Sequence, residues 1–197
     1  DVAIVVGHPL AEGGRHYNAA TVFLRGERLC TYRKQHLPQY EVFDECRYFT
    51  PGAAPLVFEQ NGVKIGIIIC EDGWSVEPAA EAADAGAEVI VSLNASPFHR
   101  NKIATRHEVM RYRVQETGLP MAYVNLTGGQ DELVFDGASF ALDRLGRLAW
   151  CAPHCAEHFA TVDFSDGDIV AQSRHVFIDF AWHGETPPET VTDNTGP

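Results

Sequence analysis

The sequence contains no hydrophobic run long enough to cross a membrane. A transmembrane helix needs roughly 18 consecutive apolar residues, and the first residues do not resemble a signal peptide. Basic residues are also scarce: 15 lysines and arginines stand against 27 aspartates and glutamates, a formal net charge of −12. Because nucleic acids and anionic membranes attract basic surfaces, we expect neither as a partner.

The sequence also lacks an internal repeat and a glycine-rich phosphate loop. Its five cysteines are an odd number spread through the chain, which predicts reduced thiols in a cytoplasmic protein. With 197 residues there is room for one sizeable domain. We predict that this domain covers residues 1–164. Residues 165–197, which end in a polar segment rich in proline and threonine, are predicted to form a poorly ordered tail.

Hydrophobic patterning predicts an α/β fold with a mixed sheet, because strands and helices alternate before a run of hairpins. Helices are predicted at 78–85 and 102–117. The chain opens without methionine in a strand that is apolar on both faces, so we expect a neighbour on each side and interpret the chain as a fragment. The predicted strands are Val2–Val6, Asn18–Leu24, Arg28–Arg33, Leu56–Glu59, Val63–Ile69, Glu88–Leu93, Met121–Asn125, Phe140–Asp143, Arg147–Ala152 and His158–Phe164.

Cys70 is the most informative residue. It follows the isoleucine-rich strand Val63–Ile69 and precedes a polar segment that contains glycine and must leave the sheet. A thiol at such a corner is held by the strand and open to a ligand, as a nucleophile requires. The alternative is a small buried hydrophobic side chain, the usual role of a free cysteine.

Two charged residues could support that thiol. Lys34 lies where a strand enters a long loop, and an ammonium there would lower a thiol pKa and stabilise an oxyanion. Glu45 lies among aromatic residues, so its carboxylate either pairs with a cation, Lys34 or Arg47, or has a raised pKa. A solvated lysine and a structural ion pair are the simpler alternatives.

A second polar corner follows the strand Glu88–Leu93. Ser96 lies at the carboxyl edge where open α/β sheets bind ligands, and Lys102 begins the next helix. Ser-Pro at 96–97 is equally compatible with a simple turn.

Further along, a group of four thiols and imidazoles suggests zinc, but its spacing matches no closed structural site, so we assign no metal. That group comprises Cys151, His154, Cys155 and His158.

Four segments together resemble one family: YRKQHLPQYEVFDE at 32–45, CEDGW at 70–74, NASPF at 94–98 and GGQDELVFDG at 128–137. They are similar to the glutaminase domain of glutamine-dependent NAD synthetases, a branch of the nitrilase (carbon–nitrogen hydrolase) superfamily. The resemblance runs from about residue 2 to residue 164. The first two segments are typical of the superfamily, and the last points to this branch.

The resemblance implies an α-β-β-α sandwich and a Glu-Lys-Cys triad. Cys70 would attack the carboxamide of L-glutamine, and Lys34 and the amide of Glu71 would hold the oxyanion. Ammonia would leave, and water would hydrolyse the thioester. Glu45 matches the glutamate that orients the lysine. The positions matching glutamine contacts are Tyr40, Ser96 and Lys102.

The resemblance also implies that this domain uses no cofactor. ATP and magnesium would serve a separate synthetase domain of the same parent chain, which amidates deamido-NAD, and family members form homo-oligomers. The family's general-base glutamate lies on an early strand in a Pro-Glu motif, and nothing before Lys34 matches it, since Glu12 and Glu27 are predicted in turns. We therefore expect the first strands and helices of the sandwich to be missing and the fragment alone to be inactive.

Two other functions remain open. A stand-alone amidase of the nitrilase superfamily would use the same nucleophile with another small amide. A catalytically inactive domain serving assembly or regulation would explain the unmatched glutamate.

Overall fold

A computed structural model describes residues 1–170. They form two sheets and a helical layer. The first sheet has the order β1-β2-β3 and is antiparallel throughout. Its strands are β1 (Ala3–Glu12), β2 (Arg15–Leu24) and β3 (Glu27–Arg33).

The second sheet has six strands in the order β11-β10-β7-β6-β5-β4. Its centre, β5-β6-β7, is parallel, and its outer strands pair antiparallel. The strands are β4 (Leu56–Gln60), β5 (Val63–Ile69), β6 (Val89–Asn94), β7 (Met121–Asn125), β10 (Phe140–Leu142) and β11 (Leu148–Cys151). Two hairpins lie outside this sheet: β8 (Thr127–Gln130) with β9 (Leu133–Asp136), and β12 (Asp163–Ser165) with β13 (Asp168–Val170).

The helices are α1 (Glu45–Tyr48), α2 (Glu77–Asp84) and α3 (Lys102–Thr117), with a 3₁₀ turn at Cys70–Trp74. Helices α2 and α3 cover one face of the larger sheet, around Ile68, Ile90 and Met110. Gly66 lets α2 approach β5, because an added Cβ would lie 3.1 Å from the Cβ of Ala82. Within residues 1–170, no helix has the combination of length and apolar character that a membrane crossing requires.

The opposite face of the larger sheet packs on the smaller sheet. Ala20, Val22 and Tyr32 of the small sheet meet Ile67 and Ile69 of β5, all buried. The layers are therefore sheet, sheet and helix. This is the β-β-α part of the predicted sandwich.

The structure corrects the prediction for the first strand. β1 extends to Glu12, which the sequence predicts in a loop with Gly13 and Gly14 but which ends the strand and pairs with Arg33. β1 also has a single neighbour, β2, among the described residues. Ile4 is 58% exposed, while Ala3 and Val5 face the core. An apolar run alone did not reveal that only one of its faces is covered.

The later elements differ less from their predicted positions. The strand predicted at 158–164 is wrong, since only Asp163–Ser165 is extended and paired. The predicted loop at 35–55 contains α1, and the stretch at 128–137 forms the hairpin β8-β9. The domain boundary predicted at residue 164 falls inside the hairpin β12-β13, where Ile169 is buried. The rest of the predicted tail, 171–197, lies outside the described residues.

Candidate active site

Cys70 lies at the carboxyl end of β5, where the chain turns from strand into the 3₁₀ turn. Its φ of +47° is in the left-handed region, which a residue with a Cβ rarely adopts. Gly73, three residues on, fits tightly against α3, with a built Cβ only 2.8 Å from Met110 Cε. Strand, turn and helix thus fix the thiol at a strained corner, an arrangement found at functional sites.

Lys34 lies directly after β3 and is only 1% exposed. Its Nζ donates to Glu45 Oε1 at 2.7 Å, and Asn18 Nδ2 donates to Glu45 Oε2 at 3.2 Å. Arg47, the other cation considered for Glu45, pairs with Asp44. A buried ammonium held by a single carboxylate retains donors that can face a ligand.

Two cavities meet at Cys70. One, of about 710 Å³, is lined by Cys70 together with Lys34 and Glu45. The other, of about 430 Å³, is lined by the remaining predicted residues: Tyr40, Glu71, Ser96 and Lys102. The structure therefore brings all seven predicted site residues to two adjoining cavities with the thiol between them.

The smaller cavity carries both signs of charge. Tyr40 Oη donates to the Glu71 carboxylate at 2.8 and 3.0 Å, and burial, together with this bond, raises the pKa of Tyr40, so its hydroxyl stays a donor. The Lys102 ammonium lies 4.3 Å from the centre of the Trp74 ring. A carboxylate and an ammonium on one cavity wall complement a zwitterion.

Sequence reasoning missed the group that holds Ser96. Arg106, 1% exposed, donates from Nε to Ser96 Oγ at 3.1 Å and from Nη1 to Asp136 Oδ1 at 2.8 Å. The Ser96 amide donates to Asn125 Oδ1 at 2.9 Å. Arg106 lies one helical turn after Lys102, and this i, i+4 spacing could have indicated that both serve the same cavity.

The thiols and imidazoles at 151–158 have different surroundings. Cys151 belongs to β11, Cys155 is exposed, and the His158 ring stacks on Trp150. No set of three or more histidines, cysteines and acids within residues 1–170 is arranged to hold a metal. All five cysteines are free thiols.

Burial raises the pKa of the Cys70 thiol to about 11, and the Lys34 ammonium acts against this rise. Glu71, Glu45 and Asp72 add to it. Among residues 1–170, no carboxylate accepts a hydrogen bond from the thiol. At neutral pH Cys70 is therefore a neutral thiol that needs a proton acceptor to become a nucleophile.

This pKa predicts the pH dependence of Cys70 alkylation in the 197-residue chain. A raised thiol pKa means that the reactive thiolate grows about tenfold per pH unit until the pH reaches that value. The rate at which iodoacetamide modifies Cys70 should still rise between pH 9 and pH 10.5. It should level off only above the thiol pKa of about 11. The rate for a simple model thiol should level off near its pKa of about 8.5. Peptide mapping gives the Cys70 rate, and an inflection below that of the model thiol would contradict the prediction.

Comparison with known proteins shows the family of the chain. A family model described as carbon-nitrogen hydrolase matches residues 1–172. A glutamine-dependent NAD(+) synthetase from Xylella fastidiosa is 41% identical over 187 residues, covering 94% of this chain and 33% of the relative. The chain thus spans about a third of the length of the curated relatives that it matches.

Two solved structures share the fold. The glutamine-dependent NAD+ synthetase of Acinetobacter baumannii, in complex with ADP, has a TM-score of 0.84 at 34% identity, covering 91% of this chain and 35% of that one. A mutant amidase from Nesterenkonia sp. has a TM-score of 0.69 at 27% identity, covering 77% and 57%. That amidase carries the acetamide moiety of fluoroacetamide on its active-site cysteine.

Proposed function

Because the chain belongs to the carbon–nitrogen hydrolase family, we propose that it is the glutamine amidohydrolase portion of a glutamine-dependent NAD synthetase. One observation carries the proposal: the Cys70 thiol lies between a cavity that holds a buried ammonium and a cavity that holds a carboxylate and a second ammonium. The first cavity suits an oxyanion, and the second suits the charged end of an amino acid.

The proposed reaction assigns a role to each of these groups. Cys70 Sγ, once deprotonated, attacks the side-chain carboxamide carbon of glutamine. The Lys34 ammonium and the backbone N–H of Glu71 stabilise the oxygen as it becomes negative. The C–N bond breaks, the nitrogen takes up a proton and leaves as ammonia, and water then cleaves the thioester to glutamate and free thiol. Glu45 orients the lysine through its 2.7 Å bond.

The same cavity gives the substrate its orientation. Lys102 would bind the α-carboxylate, and Glu71, with Tyr40 as its donor, would bind the α-ammonium. Ser96, held by Arg106, offers a hydroxyl on the same wall. These groups favour glutamine over a neutral amide and thus a glutaminase over a stand-alone amidase of another specificity.

Two further steps, deprotonation of the thiol and use of the released ammonia, would involve other parts of the full-length protein. We propose that a carboxylate outside residues 1–170 acts as general base, so that the 197-residue chain alone releases ammonia slowly. The glutaminase steps would use groups of the protein and water, without a cofactor. ATP and magnesium would serve a synthetase domain of the same parent chain, which would amidate deamido-NAD in the cytoplasm, and the parent chain would form homo-oligomers.

A comparison of two substrates tests the proposal. The full-length protein should release ammonia from glutamine with a kcat/KM at least about 100-fold above that for butyramide, which lacks both charged groups. Lys102→Met should raise KM for glutamine by about 10-fold or more, because a charged hydrogen bond contributes roughly 1.5–3 kcal/mol, and leave butyramide unaffected.

The matched control is Lys64→Met, which removes an exposed lysine on β5 away from both cavities. Equal turnover of the two amides would favour a general amidase. No release from either amide would favour the inactive assembly or regulatory domain.

A further inference from the structure

The buried carboxylate of Asp72 takes no part in the proposed reaction, yet it touches both corners that form the site. Asp72 is fully buried in the 3₁₀ turn after Cys70. We infer that Asp72 is a positioning residue that joins the Lys34 corner to the Cys70 corner and sets the distance between ammonium and thiol. The effect on catalysis rests on the proposed function, whereas the joining of the two corners does not.

Four hydrogen bonds converge on this carboxylate. Oδ2 accepts from the Ile69 amide at 2.9 Å and from Tyr32 Oη at 2.8 Å. Oδ1 accepts from the amides of Gln35 and His36, at 3.1 and 2.8 Å. One oxygen therefore holds the residue before the thiol, and the other holds the two residues after the lysine.

Among the described residues, no strand pairing connects the two corners. Lys34 follows β3 of the three-stranded sheet, whereas Cys70 follows β5 of the six-stranded sheet. The backbone of Lys34 bonds to Asn18 and Gly52, neither of which belongs to β5. Asp72 thus supplies the bonds that hold the backbones of the two corners together, beside the side-chain bonds Tyr40–Glu71 and His36–Ser75.

The charge of Asp72 does not help the thiol to ionise. A negative charge close to the thiol opposes thiolate formation, and Asp72 indeed raises the pKa of Cys70. Removing only its charge would make the thiol easier to ionise. The four hydrogen bonds instead indicate a geometric role, which includes the left-handed conformation of Cys70 in this turn.

Asp72→Asn tests this inference in the full-length protein. Asparagine keeps the shape but has one acceptor oxygen, so its NH₂ group must face one pair of donors. We expect kcat for glutamine, per Cys70 titrated with a glutamine-like electrophile, to fall on the order of 10²-fold, because small displacements of reacting groups cost that much. KM should stay within about threefold, since the groups proposed to bind glutamine are untouched. Amide hydrogen exchange should accelerate in both segments 33–37 and 69–74.

Asp143→Asn is the matched control. Asp143 is another buried carboxylate in a turn, accepting from the amides of Leu145 and Arg147 and from Arg147 Nε, away from both cavities. The Asp143→Asn variant should have a lower melting temperature than the unmodified protein and the same kcat per titrated site. A purely structural role for Asp72 would likewise reduce the number of titratable sites but not the rate per site.

The outcomes separate the two proposals. An unchanged kcat per site in Asp72→Asn, or faster exchange in only one of the two segments, would overturn the positioning role. If the unmodified protein releases no ammonia from glutamine, the proposed function fails, and the exchange data alone decide whether Asp72 joins the corners.

Discussion

Replacing Cys70 with serine should abolish the release of ammonia from glutamine by the full-length protein. A serine hydroxyl is far harder to ionise than a thiol, so a carboxylate able to deprotonate Cys70 would activate a serine much less. We expect kcat to fall by at least about 10⁴-fold, the loss typical of removing a covalent nucleophile. Because Ser and Cys are similar in size, the fold should survive, and glutamine should still bind through Glu71 and Lys102. Ammonia release measures the loss of turnover, and equilibrium binding of glutamine, measured separately, shows that the substrate site is intact.

Cys155→Ser is the control for the loss of a thiol. Cys155 is exposed and lines neither cavity, so its replacement should not change kcat. Substantial turnover by Cys70→Ser would mean that another group forms the bond to the substrate, and the assignment of the nucleophile would be wrong.

Lys34→Met should lower kcat by about 10²–10³-fold, the cost of removing one donor from an oxyanion site. The same change should raise the pKa of Cys70, because Lys34 is the group that lowers it. Alkylation of Cys70 at pH 9 should therefore slow down. Ammonia release and the pH profile of alkylation thus report two consequences of one charge.

Stability complicates this variant, since Lys34→Met leaves the carboxylate of Glu45 without its cation. Breaking a buried ion pair costs about 3–5 kcal/mol, although Glu45 is partly exposed and should lose less. The double variant Lys34→Met with Glu45→Gln removes both charges and should recover most of the melting temperature. Activity should stay as low as in the single variant. If restored stability also restored turnover, Lys34 would have only a structural role.

The sequence predicted the central part of the fold well. The run at Val63–Ile69, the helix Lys102–Thr117 and the strand Met121–Asn125 occur with the predicted bounds, because strong local periodicity and clear turn signals coincide there. The first strand is longer than predicted, since it runs from Ala3 to Glu12. Hydrophobic residues on both faces indicate burial, but they do not say which face the rest of the chain covers.

The site was predictable where a motif carried it and not where tertiary contacts created it. Cys70 and Lys34 follow strands, and their polar corners were visible in the sequence. The Arg106–Asp136 ion pair joins residues that are 30 apart, and the bonds of Asp72 to Tyr32, Gln35 and His36 span 36 residues or more. No local pattern encodes such pairings, so only the folded arrangement reveals them.

Reaction with a glutamine-like electrophile, such as a diazoketone analogue of glutamine, tests the central claim most directly. The claim is that Cys70, beside Lys34, attacks the carboxamide of a glutamine bound in the adjoining cavity. Peptide mapping after partial inactivation should find the label on Cys70 before the other four thiols, and excess glutamine should protect it. Equal labelling of Cys30, Cys46, Cys70, Cys151 and Cys155, or no protection by glutamine, would contradict the claim.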